Sequence, residues 1–245
     1  MRIAAFSDTH GNLAGLEAVL ADIASRNADL IVNLGDILSG PLQPAETADR
    51  LMALELPTIR GNHERQLLTI SPERMNKSDR YANAQLNDGH RAWLEAMPED
   101  AWFADDVYAC HGIPGNDLIY FLHTVGPQGA RSASDEEIAE RAGDVRAALI
   151  LCGHTHIQGK NRLADGRLIV NPGSAGLPAY DDDRPFAHVM ESGSPNVRYA
   201  ICERDVFGRW DAELIAVDYD FETAAKTAEL RGRDDWAVAL RTGRM

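Results

Sequence analysis

Short apolar runs, each closed by a polar cluster, set the rhythm of the first two-thirds of this chain. Residues 3–7 are apolar up to Ser7, the pattern of a buried strand, and Asp8 and His10 stand where that strand should end. Leu13, Leu16, Val19, Leu20 and Ile23 then recur at helical spacing, with Asn12 placed to cap the helix through its side-chain oxygen. A second run, 30–34, stops at Gly35-Asp36. Pro44 suits the first turn of a helix reaching to about Leu54. A third run, 56–60, stops at Gly61-Asn62-His63-Glu64. This β-α-β-α-β alternation predicts a parallel sheet with helices packed on it.

From 66 to 106 the pattern is helical and polar, and 83–97 is expected to be one helix burying Leu86, Trp93, Leu94 and Met97. A strand at 107–110 ends at His111-Gly112. Residues 112–131 read as an irregular surface excursion. Ser134 and Glu137 have the form of a capping box, predicting a helix to about Ala142. The strand 147–152 ends at Gly153-His154-Thr155-His156, and the strand 168–171 ends at Pro172-Gly173-Ser174. The last third reads differently: 186–190, 197–202 and 212–217 are expected as antiparallel strands, followed by an alanine-rich terminal helix with a frayed end. With no repeat and no linker, the expectation is a single domain over 1–245 with a helical extension from about 221.

Composition narrows the field. The chain has 245 residues, 44% apolar and 25% charged, ordinary for a globular protein able to bury a large core. No apolar run approaches the ~18 residues of a membrane span, and no signal peptide precedes the first strand. Cys110, Cys152 and Cys202 are isolated and odd in number, which fits a reducing cytoplasm better than a disulfide framework. The net charge of −14 argues against a long nucleic acid partner, which calls for a basic face. Positive charge for a phosphate would have to come from bound metal.

The candidate chemistry lies at the strand ends. Asp8 and His10 close the first strand, Asp36 the second, Asn62 and His63 the third, His111 the next, and His154 and His156 the one after. In open α/β sheets, sites form outside the carboxyl ends of strands, so these groups should converge. Asp-x-His or Gly-Asp alone is commonly a turn. The Gly-Asn-His-Glu and Gly-His-Thr-His stretches are more telling, since an amide beside an imidazole, or two histidines after an apolar strand, has few structural reasons. Three or four imidazoles, two carboxylates and an amide are too many ligands for one ion and about right for two. Nitrogen and oxygen donors without thiolate fit Mn, Fe, Zn, Co or Ni. Such pairs stabilise both the attacking and the leaving oxygen of an in-line displacement, which points to phosphoester hydrolysis. Of the other histidines, His90 and His188 read as ordinary, while His123, in the loop after His111, is a candidate substrate contact.

These motifs resemble the calcineurin-like metallophosphoesterase superfamily. Asp8-Thr9-His10, Gly35-Asp36, Gly61-Asn62-His63-Glu64, His111 and Gly153-His154-Thr155-His156 carry the resemblance, and Asn171-Pro172-Gly173-Ser174 looks like its small bacterial and archaeal phosphodiesterase branch. The resemblance implies a four-layer α/β/β/α sandwich. It implies two divalent transition metal ions such as manganese, one on Asp8, His10 and His156, the other on Asn62, His111 and His154, bridged by Asp36. It further implies that His63 touches the substrate and protonates or stabilises the leaving oxygen while metal-held hydroxide attacks phosphorus in line. Glu64 is expected to support the loop, or to pair with Arg60 or Arg65.

One departure shapes the expected substrate. Serine/threonine phosphatases and symmetric dinucleoside tetraphosphatases of the superfamily carry Asp-Arg-Gly shortly after Gly-Asp, and that arginine grips phosphate. Here Gly35-Asp36 continues as Ile37-Leu38-Ser39-Gly40. Arg60 is the remaining candidate for a phosphate contact, with a salt bridge at a strand end as its plainer role. A cytoplasmic phosphodiesterase acting on a small soluble phosphoester is therefore expected ahead of a phosphomonoesterase, nucleotide pyrophosphatase or protein phosphatase. An inactive scaffold of the same fold would have lost ligands that this chain keeps.

Overall fold

In a computed structural model describing residues 1–245, thirteen strands and eight helices alternate along the chain. The strands are β1 (Arg2–Phe6), β2 (Leu30–Asn33), β3 (Asp100–Ala104), β4 (Val107–Cys110), β5 (His123–Gly126), β6 (Gly129–Ser132) and β7 (Leu149–Leu151). They continue with β8 (Gly159–Arg162), β9 (Leu168–Asn171), β10 (Ala179–Asp182), β11 (His188–Glu191), β12 (Val197–Arg204) and β13 (Trp210–Val217). The helices are α1 (Leu13–Ala24), α2 (Pro44–Leu54), α3 (Asn62–Thr69), α4 (Lys77–Gln85), α5 (Asp88–Ala96), α6 (Asp135–Ala142), α7 (Phe221–Leu230) and α8 (Asp234–Thr242).

Two sheets carry the fold, ordered β13-β12-β1-β2 and β3-β4-β7-β9-β8. The β1/β2, β4/β7 and β7/β9 pairs are parallel; β12 and β13 close the first sheet antiparallel. Because side chains alternate along a strand, each sheet has two apolar faces to cover. Ile3, Ala5 and Val32 point inward and pack on Ala109, Leu149 and Val170 of the other sheet. Ala4 and Phe6 point outward, against Leu16, Val19 and Ile23 of α1 and Leu51 of α2. On the far side Cys110, Ile150 and Ile169 pack against Ile138 and Ala142 of α6. The result is the four-layer α/β/β/α sandwich.

Local expectations diverge from the structure at five places, the first being β3, which falls inside the stretch 66–106 read as helical. Residues 56–60 do not form a strand; a single parallel bridge joins Thr58 to Asn33 before the chain turns into α3. The helix expected over 83–97 is two helices, because Leu86 leaves the helical region and Asn87 caps α5 by accepting from His90 N. Leu94 and Met97 are buried as expected, Leu86 and Trp93 partly so. The excursion 112–131 contains most of a hairpin, β5–β6. The terminal stretch is a helix pair rather than one fraying helix. Trp236, Ala237, Ala239 and Leu240 of α8 are buried against Leu42, Leu177 and Ala179, next to the strand ends.

Candidate metal centre

The strand-end side chains converge as the β-α-β pattern requires. The ligand atoms of Asp8, His10 and His156 lie within 4.8 Å of one another, and so do those of Asp36, His111 and His154. Five of these residues hold left-handed backbone: Asp8 (φ 56°), His10 (52°), Asp36 (54°), His154 (70°) and His156 (60°). For residues with a side chain that conformation costs about 1 kcal/mol or more each, and it persists where the surroundings overdetermine it. The turns that follow β1, β2 and β7 are held at these angles by buried contacts. Asn171 Nδ2 donates to Gly153 O at 2.6 Å, Ser174 Oγ to Asp8 O at 2.7 Å, and Glu64 accepts from the amides of Asp36, Ile37 and Gly61 at 2.8–2.9 Å. Glu64 is thus the loop support, whereas Arg65 pairs with Asp117 at 2.6 Å. Gly61 admits no side chain, since a Cβ there would meet Asp36 Oδ1 at 2.3 Å.

Three ring orientations are fixed by backbone carbonyls. His10 Nδ1 donates to Ser39 O, His111 Nδ1 to Leu34 O and His156 Nδ1 to Leu177 O, all at 2.7 Å. This is the outer-shell bond that selects a tautomer and leaves Nε2 for a metal. His154 is turned the other way: its Nε2 lies 3.2 Å from Leu118 O, and its Nδ1 faces the site.

The arrangement of these atoms has the marks of a cation site. His10 Nε2 and His156 Nε2 approach to 3.0 Å although both Nδ1 atoms already donate, a contact that needs a proton or a cation between the two nitrogens. Asp8 Oδ1 is buried without a hydrogen-bond partner, 3.4 Å from His156 Nε2 and 3.9 Å from His111 Nε2. Asn62 Oδ1 stands 3.2 Å from Asp36 Oδ2 and 2.9 Å from His154 Nδ1, acceptor against acceptor unless the amide turns. Positive charge among these atoms relieves all three conflicts. Burial and the neighbouring His156 push His10 down to about 3, and burial with His111 pushes His154 down to about 4, so both rings are neutral and free to ligate. At Asp36 burial works against the charged form, but His111 and His63 outweigh it and hold the carboxylate ionised.

His63 sits beside these groups without joining either triad. Its backbone N–H donates to Asp36 Oδ1 at 2.9 Å, and its Nδ1 meets Asp79 Oδ1 at 2.7 Å. Burial opposes a charge on this ring, but Asp36 and Asp79 prevail and raise it to about 9. Asp79 is itself buried and held by Asn76 Nδ2 at 2.7 Å. Sequence reasoning missed Asp79: Asn76-x-x-Asp79 reads as a helix start, and nothing in it points to His63. It also missed Tyr120 and Tyr180, whose rings pack on His154 and His156 at 5.0 and 4.5 Å, and Trp236 of α8, 6.1 Å from His10.

A cavity of about 1100 Å³ opens over the site, lined by His10, Asp36, Asn62, His63, His154 and His156. His123 also lines it. Arg60 does not: its guanidinium is bound to Glu99 at 2.8 Å, the salt-bridge role rather than the substrate contact. Asp181 and Asp182, at the end of β10, are exposed and also line the cavity.

The profile of the calcineurin-like phosphoesterase superfamily domain matches residues 1–192. The chain belongs to that superfamily. A superfamily member thus carries, beyond the matched residues, the α7–α8 pair that walls the site. The MJ0912 protein of Methanocaldococcus jannaschii is 25% identical over 257 residues, covering 96% of this chain and 94% of its own. The crystal structure of a metallophosphoesterase from Sphaerobacter thermophilus superposes with a TM-score of 0.76 at 24% identity, over 99% of both chains. That of PH1004 from Pyrococcus horikoshii gives 0.74 at 16% identity, over 99% of this chain and 98% of the other. These two share the fold. The superfamily is one of metal-dependent phosphoester hydrolases. No helix of this chain is long and apolar enough to cross a membrane.

Proposed function

We propose that this phosphoesterase uses two divalent transition metal ions, such as Mn²⁺, to cleave a small phosphodiester. Asp8, His10 and His156 would hold one ion and Asn62, His111 and His154 the other, with Asp36 between them. The observation that carries the reading is the pair of Asp/His triads with unmatched acceptor atoms facing one another. When bound, such an ion pair supplies Lewis acidity toward a phosphoryl oxygen and an activated water.

The protein's own contribution is orientation and a proton. Carbonyls of Ser39, Leu34 and Leu177 lock three imidazoles, so the ligand set is preorganised. His63, kept protonated by Asp79 and Asp36, lines the cavity and would donate to the leaving oxygen, a role usually worth about 10²–10⁴ in rate. Preference for diesters is supported by the size of the cavity, which exceeds what one phosphate fills, and by the diversion of Arg60 to Glu99. His123 is a proposed contact to an ester arm. Three buried, unpaired cysteines agree with a reducing, cytoplasmic setting.

The test is turnover of a panel of aryl diesters, aryl monoesters and nucleotides with added Mn²⁺. Faster turnover of diesters is expected. Preference for monoesters or pyrophosphates would shift the reading to a phosphomonoesterase or nucleotide pyrophosphatase. No hydrolysis of any ester at any metal would make the chain a scaffold.

A further inference from the structure

Arg141, in the last turn of α6, reaches the cavity from a layer that supplies no metal ligand. Its guanidinium donates to Phe121 O and His123 O at 2.9 Å and to Thr124 Oγ1 at 2.6 Å. All three acceptors are neutral. Glu137, on the same helix, is taken by Arg131 at 2.8 Å, and Arg141 makes no ion pair with any carboxylate. The other cavity-lining arginines are paired, Arg233 with Asp235 at 2.6 Å and Arg184 with Asp183 at 3.8 Å. Arg141 is half-buried, and burial lowers its pKa although Glu137 and Glu140 on the same helix oppose that at longer range. Three of its five N–H donors are occupied, leaving Nε–H and one Nη2–H. Next to it, His123 Nδ1 is buried with no hydrogen-bond partner.

A half-buried cation fixed by neutral acceptors is preorganised for an anion, because its orientation is set before binding and no carboxylate must be displaced. We infer that Arg141, with His123 beside it, binds an anionic group on the substrate arm distal to the scissile phosphoester. The substrate class is then a phosphodiester bearing a second negative charge, such as a carboxylate or another phosphate. This deepens the phosphodiesterase reading and rests on it. The exposed Asp181 and Asp182 would disfavour an anion on their side, so the charge on the arm also sets its direction. The plainer role of Arg141 is to staple residues 121–124, and the test must separate the two.

The probes are 4-nitrophenyl phenyl phosphate and 4-nitrophenyl 4-carboxyphenyl phosphate, which differ by one remote carboxylate. The metal-loaded full chain should show a lower KM for the carboxylated ester, with the advantage shrinking as salt is raised. In Arg141→Gln that advantage should fall about tenfold, the loss of one charge-assisted hydrogen bond. Thr124→Val, which loosens the staple but keeps the charge, should preserve it. Equal losses for both esters in Arg141→Gln would make the residue a staple only, and so would an advantage lost equally in Thr124→Val. No advantage in the unmodified protein would overturn the inference without any variant. Failure to hydrolyse either ester would overturn the phosphodiesterase reading itself and the inference with it.

Discussion

Around Asp8, His10 and His156 two imidazole Nε2 atoms face each other at 3.0 Å, and His10 is held neutral, at about 3, by burial and by His156. Around Asp36, His111 and His154 the picture inverts. His111 donates from both ring nitrogens, to Leu34 O at 2.7 Å and Asp36 Oδ2 at 3.0 Å. Burial opposes that charge too, yet Asp36 overcomes it and pushes His111 up to about 10. The two triads use the same residue types at the same kind of strand end. They differ because one histidine has a carboxylate within hydrogen-bond reach and the other has a second histidine. The first triad therefore offers acceptor atoms around a neutral His10, while in the second a bound ion would displace the proton that Asp36 holds on His111. His154, the only half-exposed ligand, and Asn62, whose amide can turn, give the second triad an adjustable side.

The largest expected effect comes from Asp36→Asn. It removes the anion that retains the His111 proton and joins the two triads, so turnover should fall by roughly 10³ or more and metal content should drop below two ions per chain. Elemental analysis showing two ions still bound would break the bridging assignment. His63→Gln should lower kcat by about 10²–10³ with metal content unchanged, because this histidine lies outside both triads and its proposed role is at the leaving group. Loss of metal in step with activity would make His63 a ligand.

A smaller and more selective change is expected from Asp79→Asn, about tenfold in kcat. The sign of its pH effect follows from His63, whose raised pKa keeps it protonated until pH rises through about 9. Removing Asp79 lowers that pKa, so the alkaline limb of the pH–rate profile should move to lower pH. An unmoved limb would separate Asp79 from the chemistry.

What the sequence revealed and what it hid divide along the same lines. Both Asp/His triads were legible because each of their residues follows an apolar run, and the end of such a run marks the end of a strand. The strand at 56–60 was misjudged for a related reason: an apolar run predicts burial, and here burial came without a ladder, while Arg60 took the salt bridge that was its plainer role. Asp79, Tyr120, Tyr180, Arg141 and Trp236 were hidden because they come from a helix start, a hairpin flank, a short two-stranded ribbon, a helix end and the terminal helix pair. Their roles depend on tertiary placement, and no local periodicity encodes it. The break at Leu86-Asn87 was readable in principle, since Asn87 is a good N-cap, but the continuing apolar spacing masked it. The charge states of His10 and His111 are further out of reach, because they depend on which neighbours burial brings within about 3 Å.

Calorimetric titration of metal-free protein with Mn²⁺, in two buffers of different ionisation enthalpy, tests the account most directly. Two binding events are predicted. The first should show little dependence on buffer. The second should release about one proton, and its apparent affinity should rise about tenfold per pH unit while His111 remains protonated, below about pH 10. A single ion per chain, or two ions with identical proton release, would contradict it.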